Sequence, residues 1–428
     1  MSAKRRVVIA GLGAITACGK GWEPYWNAAI QGRSAIVSAK PLNLGNFPFK
    51  NAGMIPDFDA KEFVENRKSI KVMSREIQLA VGASRLALRD AKLSPENYDP
   101  TRIGVTLGTG IINNDLDEIG IGFRNSLDES GHFSMNKFGQ EGIRSLFPLW
   151  FLKYLPNMPA CHVSMVNQLR GPNNTVTTSS AASTQAIGEA YHVIERGDAD
   201  VMLAGGTDSK LNAMGISRLH LLGFLSQHED APEKVYCPFD EKHDGIVLGE
   251  GAGIMVLESL ESAKRRGANI YAEIIGYGSS SDFNYDPRDA DDFTGKRVAI
   301  RRALEDAGLE PEDVNVIVAN GSGIPQEDVQ ESLAIQSFYG QTFGKLQVTA
   351  VKPVTGHLVY GSGSVEAMVA ALTTKKKLIP PVINLVKPDS NCPLPFVIGK
   401  TKSCEVKVAV INTFGFGGQN ASLVFQHV

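Results

Sequence analysis

The sequence predicts an α/β fold built in layers, with two halves of similar plan. β-rich runs alternate along the chain with helix-like runs, and several β-rich runs are apolar throughout, as strands of a parallel sheet covered on both faces are. One series recurs in residues 176–196 and 348–376: a β-rich run, a turn of small residues and an alanine-rich helix. This repeat favours an N-terminal lobe with helical cap insertions over residues 1–257 and a C-terminal lobe over residues 258–428.

The first half begins with a strand and a helical region. Residues 6–12 are apolar and predict a buried strand. Residues 59–93 predict a helix, because apolar side chains recur there at helical spacing; they are Ile70, Met73, Ile77, Val81 and Leu86. Residues 102–110 predict a second strand that ends in a glycine turn. Residues 113–159 are long and carry scattered aromatic residues, so we expect helices that cover a cavity.

The next stretch, TVTTSSAASTQAIGEA, is the one around which the chain is organised. Thr175 to Thr178 are mostly β-branched and favour a strand, small residues follow, and a helix is predicted from Thr184 to Arg196, closed by Gly197. Such a turn places one side chain at a helix N-terminus, where backbone N–H groups favour negative charge. The stretch alone leaves two interpretations open: the site of a nucleophile, or an ordinary strand-to-helix connection.

The rest of the chain repeats strands and helices. Its predicted strands are residues 200–204, 251–257, 270–277, 314–319 and 347–351, with two β runs in 406–426, and its predicted helices are residues 295–307 and 364–374. The polar loop 237–250 and the glycine-rich turn 356–363 separate these elements. We place the junction of the two lobes near residues 258–268.

Composition excludes several classes of function. The chain has 428 residues, 43% hydrophobic content and a formal net charge of −3, so no general attraction to nucleic acid or membranes is expected. It holds no apolar run long enough to span a bilayer, and its N-terminus reads as a strand and not as a signal peptide. The five cysteines are widely spread without a CxxC pair. Zinc and a disulfide framework are therefore not expected, and a reducing cytoplasm fits.

The sequence contains no complete dinucleotide-binding motif and no metal-binding motif. Gly11-Leu12-Gly13 begins like a dinucleotide fingerprint, but Thr16 stands where the third glycine belongs and no acidic residue closes a second strand about twenty residues on. Seven histidines lack metal-ligand spacing and are expected to be structural or superficial: His132, His162, His192, His220, His228, His243 and His427. We predict no cofactor and no metal.

A basic group lies within residues 59–93, at Arg67, Lys68, Lys71 and Arg75. Two interpretations stay open for it. Charged residues usually form a solvated helix face, and a cluster of one sign also suits docking of an acidic partner.

Five motifs together resemble the β-ketoacyl-ACP synthases of the thiolase superfamily over nearly the full length. They are VVIAGLGAIT, IGEA with RGDADVMLAGG, DGIVLGEGAG, KPVTGH and NTFGFGGQN. The resemblance implies a thiolase fold, in which two similar lobes form a five-layer αβαβα core. It also implies a homodimer and substrates carried on the phosphopantetheine of an acyl carrier protein (ACP). The catalytic groups that it implies are a Cys-His-His triad assisted by a lysine.

The chain departs from that family at two catalytic positions. The family's nucleophilic cysteine stands eight residues before the glycine that is Gly188 here, and that position holds Ser180. The family's first histidine begins an HGT-like motif, which reads Asn320-Gly321-Ser322 here.

Other family positions are retained. The second histidine is His357, and the assisting lysine is Lys352, five residues before it. The resemblance also carries over the glutamate Glu366 and the GFGG loop with Phe416 and Gly417. It implies an oxyanion hole from the backbone N–H groups of Ser180 and Phe416, and assigns Ser322 and Gly417 to substrate binding. It places Arg67, Lys68, Lys71 and Arg75 where the family docks the carrier protein.

The departures predict which half of the family's reaction survives. A serine hydroxyl, unlike a thiol at a helix N-terminus, is not a nucleophile without a base, so condensation is not expected. Malonyl decarboxylation needs no nucleophile, only donors on the thioester carbonyl as it becomes an enolate. His357 and the NH₂ of Asn320 supply two donors. The expected activity is decarboxylation of malonyl-ACP to acetyl-ACP.

At residue 180 the chain is similar to the Cys-to-Ser ketosynthase-like decarboxylases of polyketide β-branching cassettes, which supply acetyl-ACP to an HMG-CoA-synthase-like enzyme. The main alternative is a chain-length-factor-like partner of an active ketosynthase, although such chains typically carry glutamine at this position and have less reason to keep Lys352, His357 and Glu366. A serine hydrolase fits poorly, since the chain has no G-x-S-x-G and no evident base for Ser180.

Overall fold

The computed structural model describes residues 4–45, 47–93, 98–282 and 293–428. The strands in these residues are β1 Val7–Thr16, β2 Gly19–Lys20, β3 Val37–Ser38, β4 Asn51–Ala52, β5 Ile103–Gly108, β6 Asn173–Val176, β7 Val201–Ser209, β8 Glu250–Ser259, β9 Ala272–Ser281, β10 Val316–Val318, β11 Gln347–Thr349, β12 Leu378–Ile379, β13 Lys402–Ser403, β14 Val408–Phe414 and β15 Gln419–Gln426.

The α-helices in the same residues are α1 Trp22–Ile30, α2 Arg75–Asp90, α3 Leu116–Arg124, α4 Met135–Lys137, α5 Met158–Asn167, α6 Ala182–Glu195, α7 Ala213–Leu221, α8 Leu260–Arg265, α9 Thr294–Ala307, α10 Pro325–Tyr339, α11 Lys352–Thr355 and α12 Ser362–Lys376. Three short 3₁₀ segments precede α2, α6 and α12; they are Arg67–Val72, Ser179–Ala181 and Val359–Gly361.

The two halves of the chain have the same strand order. The first half runs β6-β5-β7-β8-β1 across the sheet, and the second runs β11-β10-β14-β15-β9. Numbered within its own half, each set reads third, second, fourth, fifth, first. The first three strands across each half are parallel, and the remaining pairings are antiparallel. The halves meet where residues 7–9 of β1 pair with residues 272–274 of β9. The predicted repeat of two similar halves is therefore confirmed.

Helices form three layers around these strands. The central layer is α6 and α12, which contact each other and strands of both halves; Ile187, Val369, Met255 and Phe425 are among the buried residues of this shared core. On the outer face of the first half, α2 and α5 pack on the strands. On the outer face of the second half, α9 covers β9 and β15, and α10 packs beside it. The predicted five-layer αβαβα arrangement is confirmed.

The N-terminal ends of the two central helices touch. A Cβ atom at Gly363 of α12 would lie 2.0 Å from Thr184 Oγ1 of α6, so only glycine fits there. Ser183 Oγ accepts a hydrogen bond from the backbone N–H of Ser364 at 3.1 Å. The segments that precede both helices are thereby brought together, one from each half of the chain.

Element boundaries differ from the predictions in several places: β1 ends at Thr16 and not at residue 12, β7 ends at Ser209 and not at residue 204, and β9 ends at Ser281 and not at residue 277. The helix predicted within residues 59–93 is divided, because Ser74 is extended (φ −67, ψ 172) between the 3₁₀ segment Arg67–Val72 and α2. The central helix α6 begins at Ala182, two residues before the predicted start, and Gly197 follows it with φ 83. β8 and α8 occupy the expected junction of the lobes, and the boundary at residues 257 and 258 stays a prediction.

Three further observations concern the cysteines, membrane spans and metal ligands. All five cysteines are free thiols. Within the described residues, no helix is long and apolar enough to cross a membrane. No group of three or more His, Cys, Asp or Glu side chains is arranged as metal ligands in those residues. The absence of a metal and of a cofactor stays a prediction.

Candidate active site

Ser180 lies in the sharp turn between β6 and α6. The preceding residue, Ser179, has φ 52, a region that L side chains rarely adopt, and this conformation turns the chain from the strand into the 3₁₀ segment. Ser180 is fully buried, and its Oγ has no hydrogen-bond partner in the described residues. This buried hydroxyl thus lies at the positive end of α6, two residues before the helix begins at Ala182.

The second half repeats this turn before α12. Val359 has φ 43, which is strained for a β-branched residue, and its backbone N–H donates to His357 Nδ1 at 3.0 Å. An Nδ1 that accepts a hydrogen bond leaves the proton of a neutral imidazole on Nε2. Burial lowers the pKa of His357 well below its usual value, and the charge of Lys352 lowers it further. His357 is therefore a neutral ring that donates through Nε2–H.

Lys352 fixes the orientation of Asn320. Its Nζ donates to Asn320 Oδ1 at 3.0 Å, to the Asn320 backbone oxygen at 2.5 Å and to Glu366 Oε1 at 2.6 Å. These three bonds use all three ammonium protons. Because Oδ1 faces Lys352, Nδ2 faces the other way, and none of the described residues accepts a hydrogen bond from it. Asn320 thus offers a second oriented donor.

Glu366 completes this buried set. It is buried, and its second oxygen, Oε2, has no hydrogen-bond partner in the part of the chain that the structure describes. Burial raises the pKa of Glu366, while the charge and hydrogen bond of Lys352 oppose that rise. The carboxylate holds Lys352 in place and does not itself contact Asn320.

Helix α10 holds the backbone of the Asn320 loop. Glu331 accepts hydrogen bonds from the backbone N–H groups of Asn320 and Gly321 at 2.8 and 2.9 Å. Asp328 accepts one from the N–H of Gly323 at 3.1 Å. Burial raises the pKa of Glu331 to about 8, and the two N–H groups limit that rise. These two carboxyl groups thus fix the backbone of the loop that carries the Asn320 donor.

Ser322 lies in the same loop. Its Oγ accepts a hydrogen bond from the N–H of Ile324 at 3.2 Å, and its backbone oxygen accepts one from the Tyr236 hydroxyl at 2.8 Å. In this structure the Ser322 side chain therefore supports the loop, and its predicted part in substrate binding stays a prediction.

Phe416 links the two halves of the site. Its ring stacks on His357, with centroids 5.6 Å apart, and on Phe224, with centroids 4.9 Å apart. The neighbouring Gly415 packs against the turn that carries Ser180, since a Cβ there would lie 3.3 Å from the backbone nitrogen of Ala181. Gly417 follows with φ 99. The 415–418 loop thus lies over both Ser180 and His357.

The four residues of the basic group differ in their exposure and in their partners. Arg67, Lys68 and Lys71 are exposed on the 3₁₀ segment. Arg75 is half-buried at the start of α2, and its guanidinium donates to both carboxylate oxygens of Glu250, at 3.0 and 2.8 Å. Three of the four predicted docking residues are therefore free to meet a partner, whereas Arg75 is held by Glu250.

Sequence reasoning missed the groups that orient the donors. Asp328 belongs to the acidic first turn of α10, a common feature of helix starts that indicates no particular loop, and Glu331 lies in the turn after it. Val359 gave no signal, because a β-branched residue is not expected at positive φ. His243, predicted as structural, bridges Asp328 and Asp389.

Two family models match most of this chain. The model of the N-terminal domain of β-ketoacyl synthases matches residues 4–263, and that of the C-terminal domain matches residues 271–386. The 3-oxoacyl-[acyl-carrier-protein] synthase 2 of Staphylococcus aureus (strain N315) is 36% identical over 426 residues, covering 100% of this chain and 99% of its own.

Two solved structures extend the comparison. A structure described as the ishigamide ketosynthase/chain length factor has a TM-score of 0.88 and 31% identity, and the match covers 100% of both chains. Another, a type II PKS acyl-carrier protein in complex with its ketosynthase bound to the hexaketide, has a TM-score of 0.83 and 29% identity, over 99% of this chain and 100% of the other.

Proposed function

The chain belongs to the β-ketoacyl synthase family, and from that premise we propose that it decarboxylates malonyl-ACP to acetyl-ACP without condensing acyl chains. The observation that carries the proposal is the pair of oriented donors. Lys352 turns the Asn320 amide so that Nδ2 is free, and the Val359 N–H fixes the proton of His357 on Nε2.

Two such donors meet the chemical demand of decarboxylation. As CO₂ leaves the malonyl group, negative charge moves onto the thioester oxygen, and preformed donors stabilise it without reorganisation. Removing one donor from such a site typically costs about 3 kcal/mol of transition-state stabilisation. A neutral His357 suits this role, because it donates a hydrogen bond without giving up its proton.

Condensation begins when a nucleophile takes the acyl chain from its thioester, and this site offers no activated nucleophile for that step. The hydroxyl of Ser180 requires a general base to attack a thioester. His357 does not offer one, since Nδ1 already accepts the Val359 N–H and Nε2 carries the proton. Lys352 has all its protons engaged and is held by Glu366. Ser180 in place of a thiol therefore supports decarboxylation alone.

The partners in the proposal are an acyl carrier protein and a second copy of the chain. The solved relative that holds a carrier protein supports the first. For the second, β6 lies at the edge of the sheet, with exposed residues along it. Exposed apolar side chains gather in the nearby segment 111–165 and offer a surface for the second copy; they include Ile111, Phe123, Phe133, Phe147, Phe151 and Met165.

The proposal also assigns the product to polyketide β-branching and the protein to the cytoplasm. It includes no cofactor beyond the carrier's phosphopantetheine.

The test is direct. Purified protein is incubated with malonyl-ACP, and the intact mass of the carrier is followed over time beside Asn320→Ala, His357→Ala and, as a control, the exposed His132→Ala. Conversion to acetyl-ACP is expected to fall by roughly 10²-fold in each of the first two variants and to be unchanged in the third. Unaltered turnover in both donor variants would contradict the proposed site.

A chain-length-factor-like role is the second candidate. The observation that favours it is the 31% identity to the structure described as a ketosynthase/chain length factor. In that case malonyl-ACP keeps its mass, and the protein purifies stably only beside a cysteine-bearing synthase. Two results together would rule this role out: sedimentation of the protein alone as a homodimer, and release of CO₂ from malonyl-ACP by that homodimer.

A further inference from the structure

The proposed reaction leaves a proton unaccounted for. Loss of CO₂ from malonyl-ACP produces an enolate, and acetyl-ACP forms only when the enolate carbon gains a proton. The evident donors of the site are committed elsewhere. Lys352 has its three protons on Asn320 and Glu366. The protons of His357 Nε2 and Asn320 Nδ2 are needed on the thioester oxygen.

Ser180 has the properties that this step requires. Its hydroxyl is fully buried and has no hydrogen-bond partner in the described residues, so its proton is not held by the protein. The 3₁₀ segment Ser179–Ala181 that carries it contacts the segment Val359–Gly361, which follows His357, and Gly415 of the loop that stacks Phe416 on His357 packs against Ala181. The carbon of an enolate is two bonds from its oxygen, so an enolate held by His357 also lies near this turn. Resting on the proposed function, we propose that Ser180 delivers the proton that converts the enolate to the acetyl group.

Proton transfer from Ser180 consumes one enolate and restores one thioester. The Oγ–H bond of Ser180 breaks, a C–H bond forms on the enolate carbon with the electron pair of the enolate, and the thioester carbonyl is restored. The alkoxide left on Oγ lies at the N-terminal end of α6, where the helix dipole stabilises negative charge. A water molecule that enters as CO₂ leaves returns a proton to Oγ, and a proton from the solvent neutralises the hydroxide that this leaves. One proton is consumed for each CO₂ released.

Glu366 is the competing donor among the side chains of the site, since its Oε2 also lacks a partner in the described residues. Its other oxygen is bound to the ammonium of Lys352 at 2.6 Å, which favours the ionised form with no proton to give. Lys352 also stands between it and Asn320. Ser180 is therefore the better placed of the two.

Kinetics separate proton delivery from decarboxylation. CO₂ loss is the first irreversible step, so kcat/KM reports the steps up to it, whereas kcat also includes the protonation that follows. Ser180→Ala is expected to lower kcat at least tenfold, since positioned proton donors contribute roughly 10²–10⁴-fold. Its kcat/KM for malonyl-ACP should stay within about threefold of wild type. Rapid mixing should show a burst of CO₂ equal to the enzyme concentration before a slow steady state.

The controls make each outcome informative. Ser180→Ala removes no hydrogen bond that the described residues make, so its Tm should be no lower than that of wild type. Thr373→Val removes a hydroxyl on α12 that is also buried and has no hydrogen-bond partner in the described residues, and it should leave kcat unchanged. An unchanged kcat in Ser180→Ala, or a burst in Glu366→Gln alone, overturns the role of Ser180. Equal losses in kcat and kcat/KM without a burst overturn it as well. Absence of CO₂ from wild type would instead remove the proposed function, and this inference with it.

Discussion

At the scale of single residues, the site depends on which nitrogen of His357 carries the proton. The Val359 N–H settles this, because a protonated Nδ1 would point its hydrogen at another donor. Burial and the charge of Lys352 lower the pKa of His357, so the neutral ring persists below the usual histidine value of about 6.5. The electrostatics and the hydrogen bond thus act in the same direction.

We therefore expect kcat of the decarboxylation to be flat from pH 8 to about 6.5 and to fall only at lower pH, as the lowered pKa of His357 is approached. Stability should fall in the same direction: the unfolded chain binds a proton at His357 more readily, so acidification below about 6.5 favours unfolding. A pH profile of kcat tests this beside His357→Gln, whose amide does not titrate and should lack that acid limb. An acid limb in wild type centred above pH 6.5 would contradict the neutral donor.

The sequence motifs name the members of the candidate site but not their arrangement. Motifs predict Asn320, Lys352, His357 and Glu366, and the structure brings Lys352 into contact with Asn320 and Glu366. The Val359 N–H and the carboxylate of Glu331 were not foreseen. Their roles depend on backbone conformations at residues 359 and 321, and on the approach of α10, which no local pattern encodes.

At the scale of elements, His243 fastens the loop before β8 to α10. Its Nδ1 lies 2.8 Å from Asp328 Oδ2, and its Nε2 lies 3.2 Å from Asp389 Oδ2. Asp328 also accepts from the N–H of Phe239 and from that of Gly323 in the Asn320 loop. Burial lowers the pKa of His243, but the bonds and charges of Asp328 and Asp389 outweigh it, so the pKa is raised.

The stabilisation from a histidine with a raised pKa is fully present below about pH 6.5 and is lost as the pH rises through its folded pKa. His243→Gln should therefore cost about 2 kcal/mol at pH 6, or a few degrees in Tm, and clearly less at pH 9. Thermal unfolding at both values tests this, with the exposed His132→Gln as a control. The idea fails if His243→Gln lowers Tm equally at the two pH values.

Element positions were more predictable than element boundaries. Residues 59–93 show why: Ile70, Met73 and Ile77 keep a helical spacing whether the chain is one helix or is interrupted at Ser74. The interruption depends on how the 3₁₀ segment Arg67–Val72 packs, which is a tertiary effect. By contrast, the predicted bounds of α6 and α12 lie within two residues of the observed ones. Alanine has the highest helix propensity, so alanine-rich runs after turns of small residues strongly favour a helix.

At the scale of the whole molecule, the internal repeat predicted the symmetry of the fold but not its strand order. In the structure α6 and α12 contact strands of both halves, and β1 pairs with β9 where the two sets of strands meet. These contacts join distant parts of the chain and leave no local pattern. The same symmetry explains why the turns that carry Ser180 and His357 lie side by side: each half contributes the turn before its central helix, and these two turns contact each other.

The surface outside this core predicts how the carrier protein arrives. Arg67, Lys68 and Lys71 are exposed on one short segment, while Arg75 is bound to Glu250. Surface charge of this kind acts mainly on the rate of encounter and is screened by salt. The double variant Lys68→Glu/Lys71→Glu should lower kcat/KM for malonyl-ACP roughly tenfold at low ionic strength, and the deficit should shrink as salt is added.

Two comparisons isolate docking from chemistry. Malonyl-pantetheine, which carries no acidic protein, should be turned over equally by wild type and by the double variant. A second double variant, Lys400→Glu/Lys407→Glu, changes the net charge by the same amount at exposed positions in the second half of the chain. If it reproduces the loss, net charge and not this segment governs the encounter. If only Lys68→Glu/Lys71→Glu loses rate and salt dependence together, the carrier protein binds at the 3₁₀ segment before α2.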